Sequence, residues 1–104
     1  MRRPAMALPL AALVVTSVAL AGSPTPKDCI QFWPEARMQA FGYNHIVHVR
    51  DVCDVGADCV ITTDVNPEPT KLSVPPKSDE EVNTWLGSPA RVFTPTVVCT
   101  MRTR

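Results

Sequence analysis

The sequence lacks an excess of charge of either sign. Its 104 residues hold ten lysines and arginines against ten aspartates and glutamates. Proteins that bind nucleic acid or an acidic membrane surface carry a strongly basic patch or segment. The balance therefore predicts no nucleic-acid partner, and it leaves a protein or a glycan as the expected kind of partner.

The sequence also lacks an apolar run long enough to cross a membrane. The apolar stretch 5–21 falls short of the roughly 20 residues that a transmembrane helix needs, and Pro9 interrupts it. Two arginines precede this stretch, and residues 19–21 form a small-x-small cleavage pattern. Residues 1–21 are therefore predicted to be a cleaved signal peptide, which predicts a secreted or periplasmic protein without a stable membrane anchor.

Removal of this segment leaves residues 22–104, with eight basic and ten acidic side chains. A chain of this length forms one domain, and it buries only about 60 to 65% of its unfolded surface, so its stability is marginal without covalent help. We expect residues 22–28, which contain Pro24 and Pro26, to be an extended leader. Residues 29–104 are expected to form the domain.

Four cysteines supply the expected covalent help. They are Cys29, Cys53, Cys59 and Cys99. An even number of cysteines in an exported chain predicts two disulfides. Three connectivities are possible, and local structure favours Cys53 with Cys59, because the five residues between them contain a glycine and two turn-forming aspartates. That choice leaves Cys29 with Cys99.

Alternation of apolar and polar residues predicts several short strands. The predicted strands cover residues 43–52, 59–65, 71–74, 81–86 and 92–101. Pro95 indicates an edge strand or a bulge. Segment 30–41 fits either a short helix or an irregular edge strand. If Cys53 opposes Cys59 in a hairpin, His48 lies opposite Asp64.

Five to seven short strands with frequent turn signals predict an all-β fold, a small disulfide-stapled β-sandwich. The succession of strands, the Pro-Pro turn leading into Glu80-Glu81-Val82 and one long disulfide resemble the small immunoglobulin-like β-sandwich modules of exported bacterial proteins. The resemblance is topological and covers most of residues 43–101. It implies an immunoglobulin-like sandwich and no particular functional residue.

Metal binding is an alternative that the histidines and cysteines raise. His45 and His48 are three residues apart, which places them on opposite faces of a strand. Oxidised cysteines offer no thiolate ligand, and no histidine follows Cys99 to form a blue-copper site. The sequence therefore predicts no metal site and no cofactor.

Catalysis is also not expected. The sequence has no G-x-S-x-G motif, and Ser73, Ser78 and Ser88 lie in contexts that do not suggest a nucleophile. We therefore expect no catalytic residues. The leading functional prediction is an exported, non-catalytic binding or structural module.

Three exposed features are the candidate binding residues. Trp85 falls opposite Val82 and Leu86 in the alternation, so it is the aromatic residue most suspected of exposure, whereas Trp33 is expected in the core. Lys71 and Arg91 lie beside proline-rich loops and suit a trypsin-like pocket. They raise a second alternative, an inhibitor of secreted proteases.

Overall fold

The computed structural model describes residues 25–103, which form one short helix and six β-strands. In chain order these are α1 (Pro26–Cys29), β1 (Ile30–Gln39), β2 (Gly42–Asp51), β3 (Ala57–Thr63), β4 (Thr70–Val74), β5 (Ser78–Ser88) and β6 (Pro95–Met101). The prediction of a mostly β chain is confirmed. The predicted signal peptide lies outside the described residues.

The end of the expected leader is a helical turn rather than an extended segment. Pro26 occupies the first turn of α1, where its fixed φ and missing N–H fit a helix start. The backbone N–H groups of Asp28 and Cys29 both donate to the carbonyl of Thr25. The turn directs Cys29 into the protein interior, where it is fully buried.

The strands form two antiparallel sheets of three strands each. Sheet A has the order β1-β2-β5, and sheet B has the order β4-β3-β6. Strand β1 contacts β6, and β4 contacts β5. Each sheet therefore lies with its edge strands against the edge strands of the other, and residues 52–56 carry the chain between them.

One hydrophobic core joins the two sheets, and the alternation in the sequence determines which side chains enter it. In β2, Val47 and Val49 are fully buried, whereas His48 between them is only partly buried. In β3, Cys59 and Ile61 are buried and Val60 is exposed. The buried members of the core cluster are Val47, Val49, Ala57, Cys59, Ile61, Val74 and Phe93.

Segment 30–41, which the sequence left open between helix and strand, contains the edge strand β1. Pro34 lies in it opposite Val47. A proline in a strand loses one ladder hydrogen bond, and an edge strand tolerates that loss because one of its sides is unpaired. Pro95 likewise opens the edge strand β6, as the sequence predicted.

All four cysteines are in disulfides, but the favoured pairing was wrong. The bonds join Cys29 with Cys53 and Cys59 with Cys99. Cys59 and Cys99 are register partners in the β3–β6 ladder. The expected hairpin between β2 and β3 does not form, because residues 52–56 pass from sheet A to sheet B instead of turning back.

Sheet A is longer than sheet B and extends beyond it at one end. Its strands have 10, 10 and 11 residues, against 7, 5 and 7 in sheet B. The β2–β5 register shifts on both sides of His45. Gly42 opens β2 at φ +129°, and a Cβ there would lie 2.7 Å from the carbonyl oxygen of Ser88. The backbones of β2 and β5 are therefore in close contact in this part of sheet A.

Candidate functional site

The two histidines lie in different environments. His45 is fully buried, its Nε2–H donates to the carbonyl of Ala90 at 2.7 Å, and its ring stacks on Phe93 with centroids 4.1 Å apart. Its Nδ1 has no hydrogen-bond partner. His48 lies on the outer face of sheet A and remains partly exposed. His45 therefore secures the loop 89–94 to sheet A.

The expected pairing of His48 with Asp64 was also wrong, because His48 lies in sheet A and Asp64 directly follows β3 of sheet B. The Nε2–H of His48 donates to Glu35 Oε1 at 2.7 Å. Asp64 instead accepts the backbone N–H of Thr94 at 2.8 Å. Glu35 lies on β1, which pairs with the strand of His48, two residues from Trp33, the register partner of His48. Glu35 therefore takes the place that the wrong hairpin gave to Asp64.

An aromatic and charged surface covers the outer face of sheet A. We call it the Trp33 face, and it consists of Trp33, Glu35, Arg37, His48, Arg50, Asp79 and Glu81. Trp33 lies opposite His48 in the β1–β2 ladder. Its ring stacks on the imidazole with centroids 5.2 Å apart and an interplanar angle of 7°. The guanidinium carbon of Arg50 lies 5.1 Å from the centroid of the Trp33 ring.

Trp33 was expected in the core, and this expectation was wrong, since 36% of the residue is exposed.

Two bidentate ion pairs flank this ring. Arg37 donates through Nε and Nη2 to the two carboxylate oxygens of Glu35, at 2.9 Å each. Arg50 donates to both oxygens of Asp79 at 2.8 and 3.0 Å. Arg37 also reaches Glu81 at 3.3 Å. The network therefore links all three strands of sheet A.

The ion pairs shift the pKa values of their members in the directions that favour ionisation. The hydrogen bonds from Arg37, followed by the one from His48, lower the pKa of Glu35 from 4.5 to about 2. Hydrogen bonds from Arg50 lower the pKa of Asp79, and the same contact raises the pKa of Arg50. Both pairs therefore remain charged at neutral pH.

A second group of exposed side chains, all large and apolar, lies at the turn between β1 and β2 and at the adjoining end of β5. We call it the apolar end, and it consists of Met38, Phe41, Trp85 and Leu86, with exposed fractions of 72%, 92%, 44% and 67%. Their backbones adjoin: Tyr43 pairs with both Met38 and Ser88, and the N–H of Gly87 donates to the Asn44 side chain. A monomeric protein seldom exposes so many large apolar side chains in neighbouring segments without a binding role.

The shifted register of β5 explains why both Trp85 and Leu86 are exposed. Regular alternation placed Leu86 on the same face as Val82 and Thr84. Thr84 is buried and its hydroxyl donates to the carbonyl of His45 at the irregular position. Beyond this irregularity the alternation stops, as happens at a β-bulge. The expected exposure of Trp85 agrees with the structure. The alternation also put Leu86 on the face of the apolar Val82, and burial of Leu86 there was wrong because the residue is 67% exposed.

The two basic candidates differ in setting. Lys71 lies within β4, opposite Val60 of β3, so it belongs to a regular strand and not to a loop. Arg91 is exposed in the irregular segment 89–94. Of the two, only Arg91 has the loop position that was expected for contact with a protease.

One group of residues in the described part has the spacing of metal ligands. The side-chain ligand atoms of Cys29, Asp51 and Cys53 all lie within 4.8 Å of one another. Cys29 and Cys53 form a disulfide with each other, and a disulfide sulfur is not a thiolate ligand. Asp51 Oδ1 accepts the backbone N–H of Cys53. The group therefore joins the two strands at the open end of the β1–β2 hairpin, and it is not a metal site.

Comparisons with protein-family models, with curated proteins and with solved structures gave no match to this chain. Within residues 25–103, no helix is long and apolar enough to span a membrane. The function must therefore be inferred from the surfaces themselves.

Sequence reasoning missed the Trp33 face, although the signal for it is present. Once segment 30–41 is taken as a strand, Trp33, Glu35 and Arg37 fall on one face by simple alternation. The same alternation in β2 brings His48 and Arg50 to that face. The missing information was the choice between helix and strand.

Proposed function

We propose that this chain is an exported, non-catalytic binding module that contacts a partner protein through the apolar end. We further propose that its two disulfide-linked sheets form a small immunoglobulin-like β-sandwich that presents this surface. The single observation that carries the proposal is the 44 to 92% exposure of four large apolar side chains on adjoining segments of sheet A.

The choice of a protein partner rests on what surrounds the apolar end. Asn66, in the proline-rich loop after β3, donates through its side chain to the carbonyl of Thr84 at 2.6 Å. This bond brings the polar loop 64–69, with the exposed Glu68, to the same end of the sheet. An apolar centre rich in Trp, Phe and Met with a polar rim is the usual anatomy of a protein–protein interface.

The proposal is tested by a double variant that makes the apolar end polar. Phe41→Ser with Leu86→Ser removes one highly exposed apolar side chain from each of two neighbouring segments, with exposed fractions of 92% and 67%. Val60→Ser with Val98→Ser is the matched control, because these exposed residues form a cross-strand pair on the outer face of sheet B. The immobilised proteins are incubated with native extracellular fluid, and the captured proteins are quantified by mass spectrometry.

We expect a specific partner to be captured by the wild type and by the Val60/Val98 variant, and to be reduced about tenfold or more by Phe41→Ser with Leu86→Ser, which is a loss of about 1.4 kcal/mol or more in binding. Equal capture by both double variants would show that the apolar end is not the contact surface. Dispersed amide spectra from both variants serve as the control for folding.

A second candidate function is inhibition of a secreted trypsin-like protease by the loop 89–94. The loop is anchored on both sides of the exposed Arg91. Before it, the carbonyl of Ala90 accepts a hydrogen bond from His45; after it, Phe93 stacks on the same imidazole and is buried. Such anchoring presents a basic side chain at low entropic cost, as inhibitor loops do.

The inhibitor hypothesis predicts competitive inhibition of trypsin-like enzymes that Arg91→Ala abolishes. Lys71→Ala is the matched control, since Lys71 is an equally basic side chain within a regular strand. Rapid cleavage after Arg91, or no inhibition at micromolar concentration, would refute this second function.

A further inference from the structure

The Trp33 face contains an exposed aromatic ring whose orientation is already fixed. The ring is stacked on His48 and contacts the Arg50 guanidinium, yet 36% of Trp33 remains exposed. A ring held in place loses little conformational freedom when a ligand packs on it. The exposed part of the ring is apolar, so it suits a ligand that presents C–H groups to it.

The ion pairs beside the Trp33 ring present hydrogen-bond donors and acceptors side by side. In the Arg37–Glu35 and Arg50–Asp79 pairs, the side chains keep exposed fractions between 36% and 54%. Each pair presents guanidinium N–H groups next to carboxylate oxygens. Neighbouring hydroxyl groups on a ligand donate and accept at once, so they complement such a pair.

The charges of the Trp33 face nearly cancel. Two arginines stand against the three carboxylates of Glu35, Asp79 and Glu81, and His48 lies between two of these carboxylates. An anionic ligand would meet no excess of positive charge, and a cationic ligand would have to compete with arginines that are already paired. The surface therefore favours a neutral, hydroxyl-rich ligand.

We propose that the Trp33 face binds a neutral oligosaccharide, with one pyranose ring packed on Trp33 and its hydroxyl groups bonded to the flanking arginine–carboxylate pairs. This site is separate from the apolar end, so it adds a glycan-binding activity to the protein-binding role proposed above. It does not depend on that role.

The ion pairs alone would be explained by the stability of sheet A, since cross-strand pairs of opposite charge are common on exposed sheet faces. Trp33 is not explained in this way, because a threonine or valine would suit an edge strand without exposing a large apolar ring. The experiment must therefore distinguish a role of the Trp33 ring in ligand binding from a role in the stability of sheet A.

The test uses soluble hexasaccharides of glucose, mannose and N-acetylglucosamine as probes, each titrated to about 10 mM against oxidised protein. Backbone amide shifts in NMR spectra report the site. We expect at least one probe to shift the amides of Trp33, His48 and Arg50, with a dissociation constant on the order of 1 mM, the range of weak complexes.

Trp33→Ala is the main variant, and Trp85→Ala is its matched control, since the two tryptophans lie on the two different surfaces. We expect Trp33→Ala to weaken binding about tenfold or more and Trp85→Ala to leave it unchanged. If Trp33→Ala fails to fold, Asp79→Asn replaces it, because that exposed side chain is one half of a flanking pair.

Three results would overturn the proposal: no amide shift with any probe, shifts that lie outside the Trp33 face, or binding that survives Trp33→Ala or its replacement, Asp79→Asn. The Phe41→Ser and Leu86→Ser double variant should keep full sugar binding, and Trp33→Ala should keep the captured protein. Failure of the sugar site is thereby distinguished from failure of the protein-binding function.

Discussion

The connectivity of the disulfides determines how much stability each pair of cysteines contributes. The bonds span 24 residues for Cys29–Cys53 and 40 residues for Cys59–Cys99. In the chain-entropy model these loops correspond to about 3.5 and about 3.9 kcal/mol at 25 °C. Burial does not separate them, because each bond has one buried and one half-buried cysteine. We therefore expect similar losses from the two alanine double variants that each remove one bond.

A third double variant distinguishes this connectivity from the one that the sequence favoured. Cys53→Ala with Cys59→Ala removes one partner from each observed bond, so it should cost about 7 kcal/mol, the sum of both contributions. A domain of this size has a total stability of about 5 to 10 kcal/mol, so we expect this variant to be largely unfolded. If Cys53 were instead bonded to Cys59 through their short loop, the same variant would lose only about 2 kcal/mol.

The assay is urea unfolding of each purified variant, followed by fluorescence, with a peptide map under non-reducing conditions for the wild type. Similar midpoints for Cys29→Ala with Cys53→Ala and for Cys59→Ala with Cys99→Ala are expected, with equal slopes. A folded Cys53→Ala and Cys59→Ala variant that keeps a bond between Cys29 and Cys99 would refute the reasoning.

Three further predictions concern single positions. Gly42→Ala should cost about 3 kcal/mol or more, because φ is +129° and the new Cβ would lie 2.7 Å from a backbone oxygen. Gly87→Ala should cost only about 1 kcal/mol in urea unfolding, because φ is +68° and the nearest atom to its Cβ, the Phe41 carbonyl oxygen, lies at 3.6 Å, an ordinary contact distance. Since the pKa of Glu35 falls from 4.5 to about 2 on folding, its contribution to stability is complete above pH 4.5 and lost as the pH falls toward 2; the unfolding midpoint should drop less over that range in Glu35→Gln. His45→Ala should cost about 3 kcal/mol, and His48→Ala no more than about 1 kcal/mol, by the same measurement; equal losses at the two histidines would contradict their assignment to interior and surface.

The alternation of side chains could be predicted from the sequence because it is a local property. In β2 and β3 the residues expected to share a face do share it. The observed strands, Gly42–Asp51 and Ala57–Thr63, begin and end within two residues of the predicted ranges 43–52 and 59–65. A period of two fixes the faces of a strand, but it does not specify which strand is its neighbour. That choice depends on contacts between distant residues.

The segment between Cys53 and Cys59 shows why the neighbour was misjudged. Its glycine and aspartates are typical of a hairpin turn. In the structure Val55 and Gly56 are buried, and a Cβ on Gly56 would lie 3.1 Å from the carbonyl oxygen of Val74. The glycine serves a close approach to sheet B rather than a turn. Both uses require a residue without a side chain, so the sequence alone does not separate them.

Both proposed surfaces lie on sheet A, and the unequal lengths of the sheets give a physical reason for the exposure of the apolar end. At about 3.4 Å per residue, the 10-residue β2 is about 10 Å longer than the 7-residue β3. Asn66, just past the end of β3, bonds to Thr84, so the part of β5 beyond Thr84 lies past sheet B. Trp85 and Leu86 therefore have no opposing sheet to cover them.

The proposed binding surface and the residues that stabilise the fold therefore lie in different parts of the molecule. The buried core cluster lies where the two sheets overlap, so polar substitutions in the apolar end remove exposed surface and leave the core intact. Such substitutions should change the free energy of unfolding by no more than about 0.5 kcal/mol. A large destabilisation by Phe41→Ser with Leu86→Ser, measured by urea unfolding, would mean that these side chains pack on the fold itself and are not held free for a partner.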